Sequence, residues 1–384
     1  MSTKPPAFEF YLLKTLPRIS QAIKFKPLSD AKVSYLKDKT TVTIDRMPSE
    51  SFSNINHGSL TAIENVSMAV FDFKGKLTHQ PLDIANYKPF SHATMAWNAE
   101  GYLQGAYMIG SILAVVSSRL TYAKLYRGGQ EIFKSNYTPL NKYIQGWVTG
   151  GRGAILSGKS VIFITEEGKA VSMSMNEKVI DQGRPIETVI HHQNLMTDIW
   201  SDGSVLYCLS SAGHIDIVKY RLANSQAIRS SDMHIEAFNE SKTLSENHRA
   251  VALTGTHGYL AAATYSRETI SYNTVWLMDR RGKILSKAND CGESKNGTAQ
   301  TIHRMEFCIV NKHLYLFTQQ LFCISTLFLI NPRRRTSIHF INTFNIMDSG
   351  VSWQLIAIPA NRHQLISGCS DKYACMVTIT LKRD

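Results

Sequence analysis

Residues 200–218, WSDGSVLYCLSSAGHIDIV, contain the pattern from which we predict the fold. A tryptophan precedes a polar turn at 201–204, an apolar run at 205–209, a turn of small residues at 210–213 and an alternating segment at 214–218. Beta-branched and aromatic residues favour strands, and glycine supplies the positive φ that tight turns need. The stretch therefore predicts antiparallel β-strands joined by short turns.

Units of this kind recur along the chain, and one turn residue in each unit serves as its marker. The markers are Gly75, Gly128, Gly168, Gly213, Gly282, Arg334 and Tyr373. Successive markers are 53, 40, 45, 69, 52 and 39 residues apart. Most of these spacings lie near the roughly 40–55 residues of a four-stranded propeller blade. The longest spacing contains the polar stretch 222–250, which we interpret as an insertion loop.

This rhythm of strands and turns resembles that of the WD40-like β-propellers, from about residue 30 onward. The closest match to a third strand and turn of that family is residues 365–372, LISGCSDK. The resemblance implies an all-β fold with a single β-propeller of seven blades, each of four antiparallel strands, with six or eight blades as alternatives. An irregular β-sandwich with evenly spaced turns is the other interpretation that the spacing allows.

The domain boundaries follow from charge and from the need to close a ring of sheets. Residues 1–27 form a basic arm, with five lysines and arginines against the single acid Glu9, and residues 28–384 form the propeller. Pro17 interrupts any helix in the arm, which disfavours a mitochondrial presequence. Residues 32–44 predict two short strands around the turn at 37–39, and they are our candidates to close the ring against residues 375–381.

Net charge and cysteine content indicate the environment and the partners. The net charge of +12 favours polyanionic partners such as RNA or DNA, as well as acidic protein surfaces. Six cysteines without a CxxC pair predict buried free thiols, no metal and no cofactor. We therefore expect an intracellular protein, cytoplasmic or nuclear, and its longest apolar run, at 321–330, is too short to span a membrane.

One stretch matches the pattern of a phosphate-binding loop. Residues 153–160, GAILSGKS, fit GxxxxGK[ST], but such a loop works only when a helix follows it. The residues that follow, 161–165, are VIFIT, which favours a strand. We therefore interpret the match as a turn between two strands, without nucleotide binding.

The clearest candidate for a binding site is a basic rim on two hairpin tips. Arg333, Arg334 and Arg335 form a compact cationic turn, and Arg280 and Arg281 occupy the matching turn of the preceding unit. Arginine pairs well with phosphate and carboxylate groups, so the two turns could form one patch on adjacent blades. Thr336 and Ser337 follow the arginines and are possible phosphorylation sites.

No arrangement of catalytic residues stands out, since His191 and His192 are adjacent and would face opposite ways in a strand. We therefore predict a non-enzymatic scaffold for protein–protein interactions, a subunit of a larger assembly. The first alternative is a nucleic-acid- or ribonucleoprotein-associated propeller that uses the basic rim. The second is a propeller enzyme with a site in the central channel.

Overall fold

The computed structural model describes twenty-six segments of the chain, and statements about structure refer to these residues. They are 25–46, 60–63, 67–71, 77–83, 88–89, 93–95, 103–109, 112–117, 122–127, 130–140, 153–183, 187–190, 196–202, 205–211, 215–223, 226–234, 248–256, 258–267, 271–281, 283–290, 301–320, 324–332, 337–346, 352–357, 363–369 and 374–382. They are mostly β-strand, with the helices α1 (Asp30–Lys39) and α2 (Glu177–Asp181).

The strands are grouped into antiparallel sheets, which we number in chain order. The first sheet contains β2 (Leu60–Ile63), β3 (Ser67–Phe71), β4 (Leu77–Asp83), β5 (Lys88–Pro89) and β6 (Ala93–Met95). The second contains β7 (Leu103–Ile109), β8 (Ile112–Ser117), β9 (Tyr122–Arg127) and β10 (Gln130–Lys134). The third contains β11 (Ala154–Ser157), β12 (Ser160–Ile164), β13 (Ala170–Ser174) and β14 (Glu187–Ile190). The fourth contains β15 (Met196–Ser201), β16 (Val205–Ser211), β17 (Ile215–Ala223) and β18 (Gln226–His234).

The remaining sheets follow the same plan, except that the last one includes the first strand of the chain. The fifth contains β19 (His248–Gly255), β20 (Tyr259–Arg267), β21 (Ser271–Asp279) and β22 (Ile284–Asp290). The sixth contains β23 (Ile302–Val310), β24 (His313–Gln320), β25 (Ile324–Asn331) and β26 (Ser337–Asn345). The seventh contains β27 (Ser352–Ala357), β28 (Gln364–Cys369), β29 (Ala374–Leu381) and β1 (Thr40–Arg46).

The first strand of each sheet contacts the first strand of the next sheet. These contacts join β2 to β7, β7 to β11, β11 to β15, β15 to β19, β19 to β23, β23 to β27 and β27 back to β2. The fourth strand of each sheet lies farthest from these inner strands. The described sheets are therefore arranged in a cycle around their inner strands.

Apolar side chains fill the seams between neighbouring sheets. In β20, Leu260 and Ala262 pack against the fourth sheet, whereas Ala261 and Ala263 pack against the sixth sheet. Successive side chains of a strand point to opposite faces, so a strand between two sheets must be apolar at every position. This requirement explains the continuous apolar runs of the inner and middle strands.

The ring-closing strand pairs as predicted. The last strand β29 pairs antiparallel with β1, from Thr40 opposite Leu381 to Arg46 opposite Cys375. The prediction of a first strand before it is wrong, because residues 30–39 form α1. The Ser29 side chain accepts a hydrogen bond from the Lys32 amide and caps the helix, while Val33 and Leu36 share its buried face. These helical signals, a cap and a spacing of three, outweigh the strand propensity of the segment.

The polar stretch 222–250, which we predicted to be an insertion loop, is partly β-strand. Residues 226–234 form β18, the outer strand of the fourth sheet, paired with β17. An outer strand has little apolar surface to bury, so its sequence is polar and resembles that of a loop. Residues 235–247 lie outside the described residues.

The phosphate-loop match is a hairpin, as predicted. Ser157 in β11 pairs with Ser160 in β12, and Gly158 takes the turn with a φ of 57°. A strand follows, so no helix N-terminus is available to hold a phosphate at this position.

Candidate functional site

The two segments of the predicted basic rim occupy equivalent positions in the strand order of adjacent sheets. Arg280 and Arg281 follow β21, and residues 332–336 follow β25, so each segment connects a third strand to a fourth strand. The outer strands β22 and β26 contact each other, and the Ile338 amide donates a hydrogen bond to Ser286 Oγ at 3.3 Å. Arg333, Arg334, Arg335 and Thr336 lie outside the described residues, so their part in the rim stays a prediction.

The Arg280 side chain is held against the neighbouring sheet. Its Nη2 atom lies 2.7 Å from Asp202 Oδ2 in an ion pair, and the side chain is 30% exposed. Its guanidinium carbon lies 5.6 Å from the ring centroid of Trp200 and 5.9 Å from that of Tyr207. Arg280 therefore joins the fourth and fifth sheets, whereas Arg281 is exposed.

The polar turn of the stretch 200–218 prepares this contact. Asp202 Oδ1 accepts a hydrogen bond from the Val205 amide at 2.8 Å, which leaves its other oxygen for Arg280. The Trp200 ring lies over Gly255, where an added Cβ would be 2.6 Å from ring carbons. The sequence predicted the turn but not these contacts, because Gly255 and Arg280 belong to the next unit.

The outer strand β26 differs from other outer strands in its lack of charge. Its sequence, SIHFINTFN, contains no Asp, Glu, Lys or Arg, whereas β10 is QEIFK and β22 is ILSKAND. Phe340 is 50% exposed and makes an edge-type contact with the Phe328 ring, with centroids 6.4 Å apart. Charged residues on outer strands discourage pairing with other chains, and β26 has none.

Side chains satisfy two amides of β26. Ser286 accepts from Ile338, and Asn342 Oδ1 accepts from the Thr343 amide at 2.9 Å. The register with β25 shifts between Leu327 and Phe328, opposite Ile341, which forms a bulge. The middle of the strand, around Phe340, lies between the two side-chain caps.

The turn before β22, in the sheet next to this apolar strand, carries two exposed cations. We define the β22–β26 surface as Arg281, Lys283, Ser286 and Phe340. Arg281 and Lys283 are exposed. Lys287 does not belong to this surface, because its Nζ lies 5.3 Å from the centroid of the Trp276 ring, on the face of the fifth sheet that packs against the fourth sheet. Phe340 was not predicted from the sequence, although the uncharged stretch 337–345 indicates it once this stretch is known to be an outer strand.

Ser337, one of the predicted phosphorylation sites, is the first residue of β26. Its side chain is half-buried, and its Oγ lies 2.8 Å from His339 Nε2. It pairs with Asn331 across the turn. Phosphorylation at Thr336 or Ser337 stays a prediction.

The described cysteines Cys208, Cys308 and Cys375 are buried free thiols, as predicted. Burial raises the pKa of the Cys208 and Cys308 thiols, so they remain protonated and unreactive. Among the described residues we find no group of three His, Cys, Asp or Glu placed to hold a metal ion. Neither helix described for the chain has the length and apolar character needed to cross a membrane.

Comparisons with known proteins support the fold. No family model matches the chain, and no curated protein matches it by sequence. Among solved structures it resembles the N-terminal domain of Nup159, with a TM-score of 0.59 and 7% identity over 89% of this chain and 96% of that chain. It also resembles a chain of the S. cerevisiae complex of Dbp5 bound to Nup159, Gle1, IP6 and ADP, with a TM-score of 0.53 and 6% identity over 89% and 94%.

A third similar structure is the WD40 domain of Toxoplasma gondii coronin. Its TM-score is 0.52, with 10% identity over 90% of this chain and 87% of that chain. At such low identity these likenesses show the fold alone. Together with the cyclic arrangement of antiparallel sheets, they show that the chain has a β-propeller fold similar to that of WD40 domains.

Proposed function

We propose that this chain is a seven-bladed β-propeller that acts as a non-enzymatic scaffold inside the cell, as a subunit of a larger protein assembly. Its β22–β26 surface binds an extended, acidic and partly apolar segment of a partner protein. The observation that carries this proposal is the half-exposed Phe340 on an outer strand without charges.

Phe340 explains why the partner is a protein with apolar residues. A large ring exposed on a long outer strand loses contact with water when a partner strand packs beside it. The backbone in the middle of β26 can pair with an added strand. The amides of Ile338 and Thr343 already donate to side chains, so the pairing is limited to the few residues between them. The binding mode is therefore a short strand addition around one aromatic anchor.

Charge explains why the partner segment is acidic and comes from another protein. Arg281 and Lys283 are exposed in the turn before β22, in the sheet next to β26, and the chain carries a net charge of +12. A second copy of the chain would bring the same positive charge to this surface, whereas an acidic segment is attracted to it. The solved Dbp5 complex with Nup159 and Gle1 includes a structurally similar chain in a protein assembly, which supports the same use here.

The experiment compares two substitutions at exposed apolar residues of outer strands. Partners of the full chain are identified by cross-linking and mass spectrometry, and their binding is then measured with purified proteins for Phe340→Lys and for Ile132→Lys. Ile132, on β10, is the matched control because it is 37% exposed on an outer strand next to charged residues. We expect Phe340→Lys to weaken binding at least tenfold, because the loss of an aromatic side chain at the centre of an interface costs this much or more.

Hydrogen exchange of the β26 amides supplies the second measurement. A partner segment that adds to this strand slows exchange at the amides around Phe340 and leaves those of β10 unchanged. Equal loss of binding in the two variants, or a partner that protects a different strand, would overturn the proposal.

A further inference from the structure

A second surface, on α1, has a composition different from that of the β22–β26 surface. Val33 and Leu36 of α1 are buried against the sixth and seventh sheets. At about 100° per residue, Lys32, Tyr35 and Lys39 fall within about 60° of one another on the exposed part of the helix. By the same calculation Asp30 falls on the opposite flank, whereas Asp38 falls about 60° from Tyr35, on the side away from the two lysines. We call Lys32, Tyr35 and Lys39 the α1 stripe.

The tyrosine of the stripe lies between its two lysines. Tyr35 is 37% exposed, which is unusual for a large hydrophobic residue in the described part of the chain. The centroid of its ring is 4.4 Å from Lys32 Nζ and 6.0 Å from Lys39 Nζ. The stripe thus presents an aromatic ring with a cation on each side.

The fold brings further lysines to both ends of the stripe. Lys312 is exposed in the turn between β23 and β24, next to His313, whose pKa is lowered by burial and then by the charge of Lys32. At the other end, the Lys382 amide donates to the Lys39 carbonyl at 2.9 Å. Two further chain segments that carry exposed lysines therefore lie near α1.

The position of α1 is fixed firmly. The Leu28 amide donates to Asn331 Oδ1 at 2.9 Å, and Asn331 Nδ2 donates to the Leu28 carbonyl at 3.1 Å, both in buried surroundings. Thr40, at the end of the helix, lies with its Oγ1 3.1 Å from the Tyr315 hydroxyl. The stripe is therefore displayed on a rigid support, which lowers the entropic cost of binding.

We propose that the α1 stripe and the lysines beside it bind single-stranded nucleic acid. A base stacks on the Tyr35 ring, and the lysines contact the flanking phosphates, which is how proteins hold single strands without reading their sequence. The Lys32 ammonium that covers the ring in the free protein can move to a phosphate because its side chain is flexible. A duplex keeps its bases stacked inside, so the exposed ring favours a single strand. An acidic peptide would use the lysines but would leave the ring without a planar partner.

The experiment measures binding of a fluorescein-labelled oligouridylate of about 20 nucleotides to the full chain from about 50 to 250 mM salt. Anisotropy gives the affinity at each salt concentration. We expect the affinity to fall linearly on logarithmic axes as the salt concentration rises. Lys32→Ala combined with Lys39→Ala should reduce the steepness of this line by about 1.4, since each lost single-strand phosphate contact contributes about 0.7.

Tyr35→Leu separates stacking from charge. It should lower the affinity by roughly 5- to 100-fold at every salt concentration while leaving the slope unchanged. The matched control is Lys159→Ala combined with Lys178→Ala, which removes one exposed lysine from the turn between β11 and β12 and one from α2. It should change neither the affinity nor the salt slope. Thermal melts of each variant check that the fold is intact.

Three results would overturn the proposal. They are no binding at the lowest salt, an equal loss in the control variant, and competition by polyglutamate that is as strong as competition by oligouridylate. Phe340→Lys tests the protein-binding surface separately, since Phe340 is not part of the α1 stripe, so either proposal can fail alone.

Discussion

The seam between the fourth and fifth sheets and the seam between the sixth and seventh sheets are held together in different ways. In the first, Tyr207 and Leu209 pack against Leu260 and Met278, and Arg280 reaches back to Asp202. All of these residues lie within two consecutive units of the chain. We call this the Trp200 seam.

The second seam, which we call the closing seam, depends on the distant N-terminal segment. Leu28, Val33 and Leu36 share one apolar cluster with Tyr315 of the sixth sheet and Val377 of the seventh. The bonds between Leu28 and Asn331 join residues 303 positions apart in the chain. A ring of sheets thus forms most of its seams from neighbouring hairpins, but the last seam requires the closure of the longest loop in the chain.

The largest effect is expected from removal of the closing strand. A chain that begins at residue 47 loses α1 and β1, exposes the β29 edge, and should lose cooperative unfolding or aggregate. A chain that begins at residue 25 retains both elements and is the matched control. Thermal unfolding, with thiol labelling under native conditions, measures the difference.

Thiol labelling shows which seam opens in the truncated chain. Cys308 and Cys375 lie in the closing seam, and Cys208 lies between the third and fourth sheets. The two closing-seam thiols should react first. If Cys208 reacted as fast as the other two thiols, the closing strand would stabilise all seams equally. The closing seam would then not depend on the N-terminal segment more than other seams do.

Alkaline pH should destabilise the fold through two buried thiols, of which Cys308 lies in the closing seam and Cys208 between the third and fourth sheets. The pKa values of Cys208 and Cys308 are raised by burial, so the native state keeps their protons while the unfolded chain releases them. Their contribution is complete below about pH 8.5 and is lost as the pH rises, by up to about 1.4 kcal/mol per pH unit for each thiol. Urea unfolding between about pH 8 and 10 measures this slope, and Cys308→Ala should reduce it by one thiol's share.

Gly255→Ala tests the packing of the Trp200 seam. The added methyl group would lie 2.6 Å from the Trp200 ring, so we expect a loss of about 1–3 kcal/mol in the free energy of unfolding. Trp200→Leu in the same chain should remove part of this penalty, because the smaller side chain leaves space for the methyl group. An additive double variant would show that the two residues do not touch in solution.

The smallest effect is expected at the ion pair between Arg280 and Asp202. These side chains are 30% and 12% exposed, so water partly screens the pair, and we expect a coupling of about 1 kcal/mol. A double-mutant cycle with Arg280→Met and Asp202→Asn measures it, since asparagine can still accept the hydrogen bond from Val205. Zero coupling would mean that the rings of Trp200 and Tyr207 alone hold Arg280.

The sequence predicted local structure where pattern and turn chemistry agree. The hairpins of residues 200–218 appear as β15, β16 and β17, and Lys159 is followed by a strand. The prediction was wrong at 30–39, where a helix buries Val33 and Leu36, and at 226–234, where a polar sequence forms an outer strand.

By itself, the sequence determined that this protein is built from antiparallel strands in repeated units, because alternation and turn residues act over only a few positions. Tertiary structure alone decided which residues meet across seams and which surfaces remain open. Arg280 lies on Trp200 rather than in solvent, and the Lys382 amide lies at the end of α1, where it donates to the Lys39 carbonyl. Such contacts depend on how sheets pack against each other, and no local pattern along the chain encodes that packing.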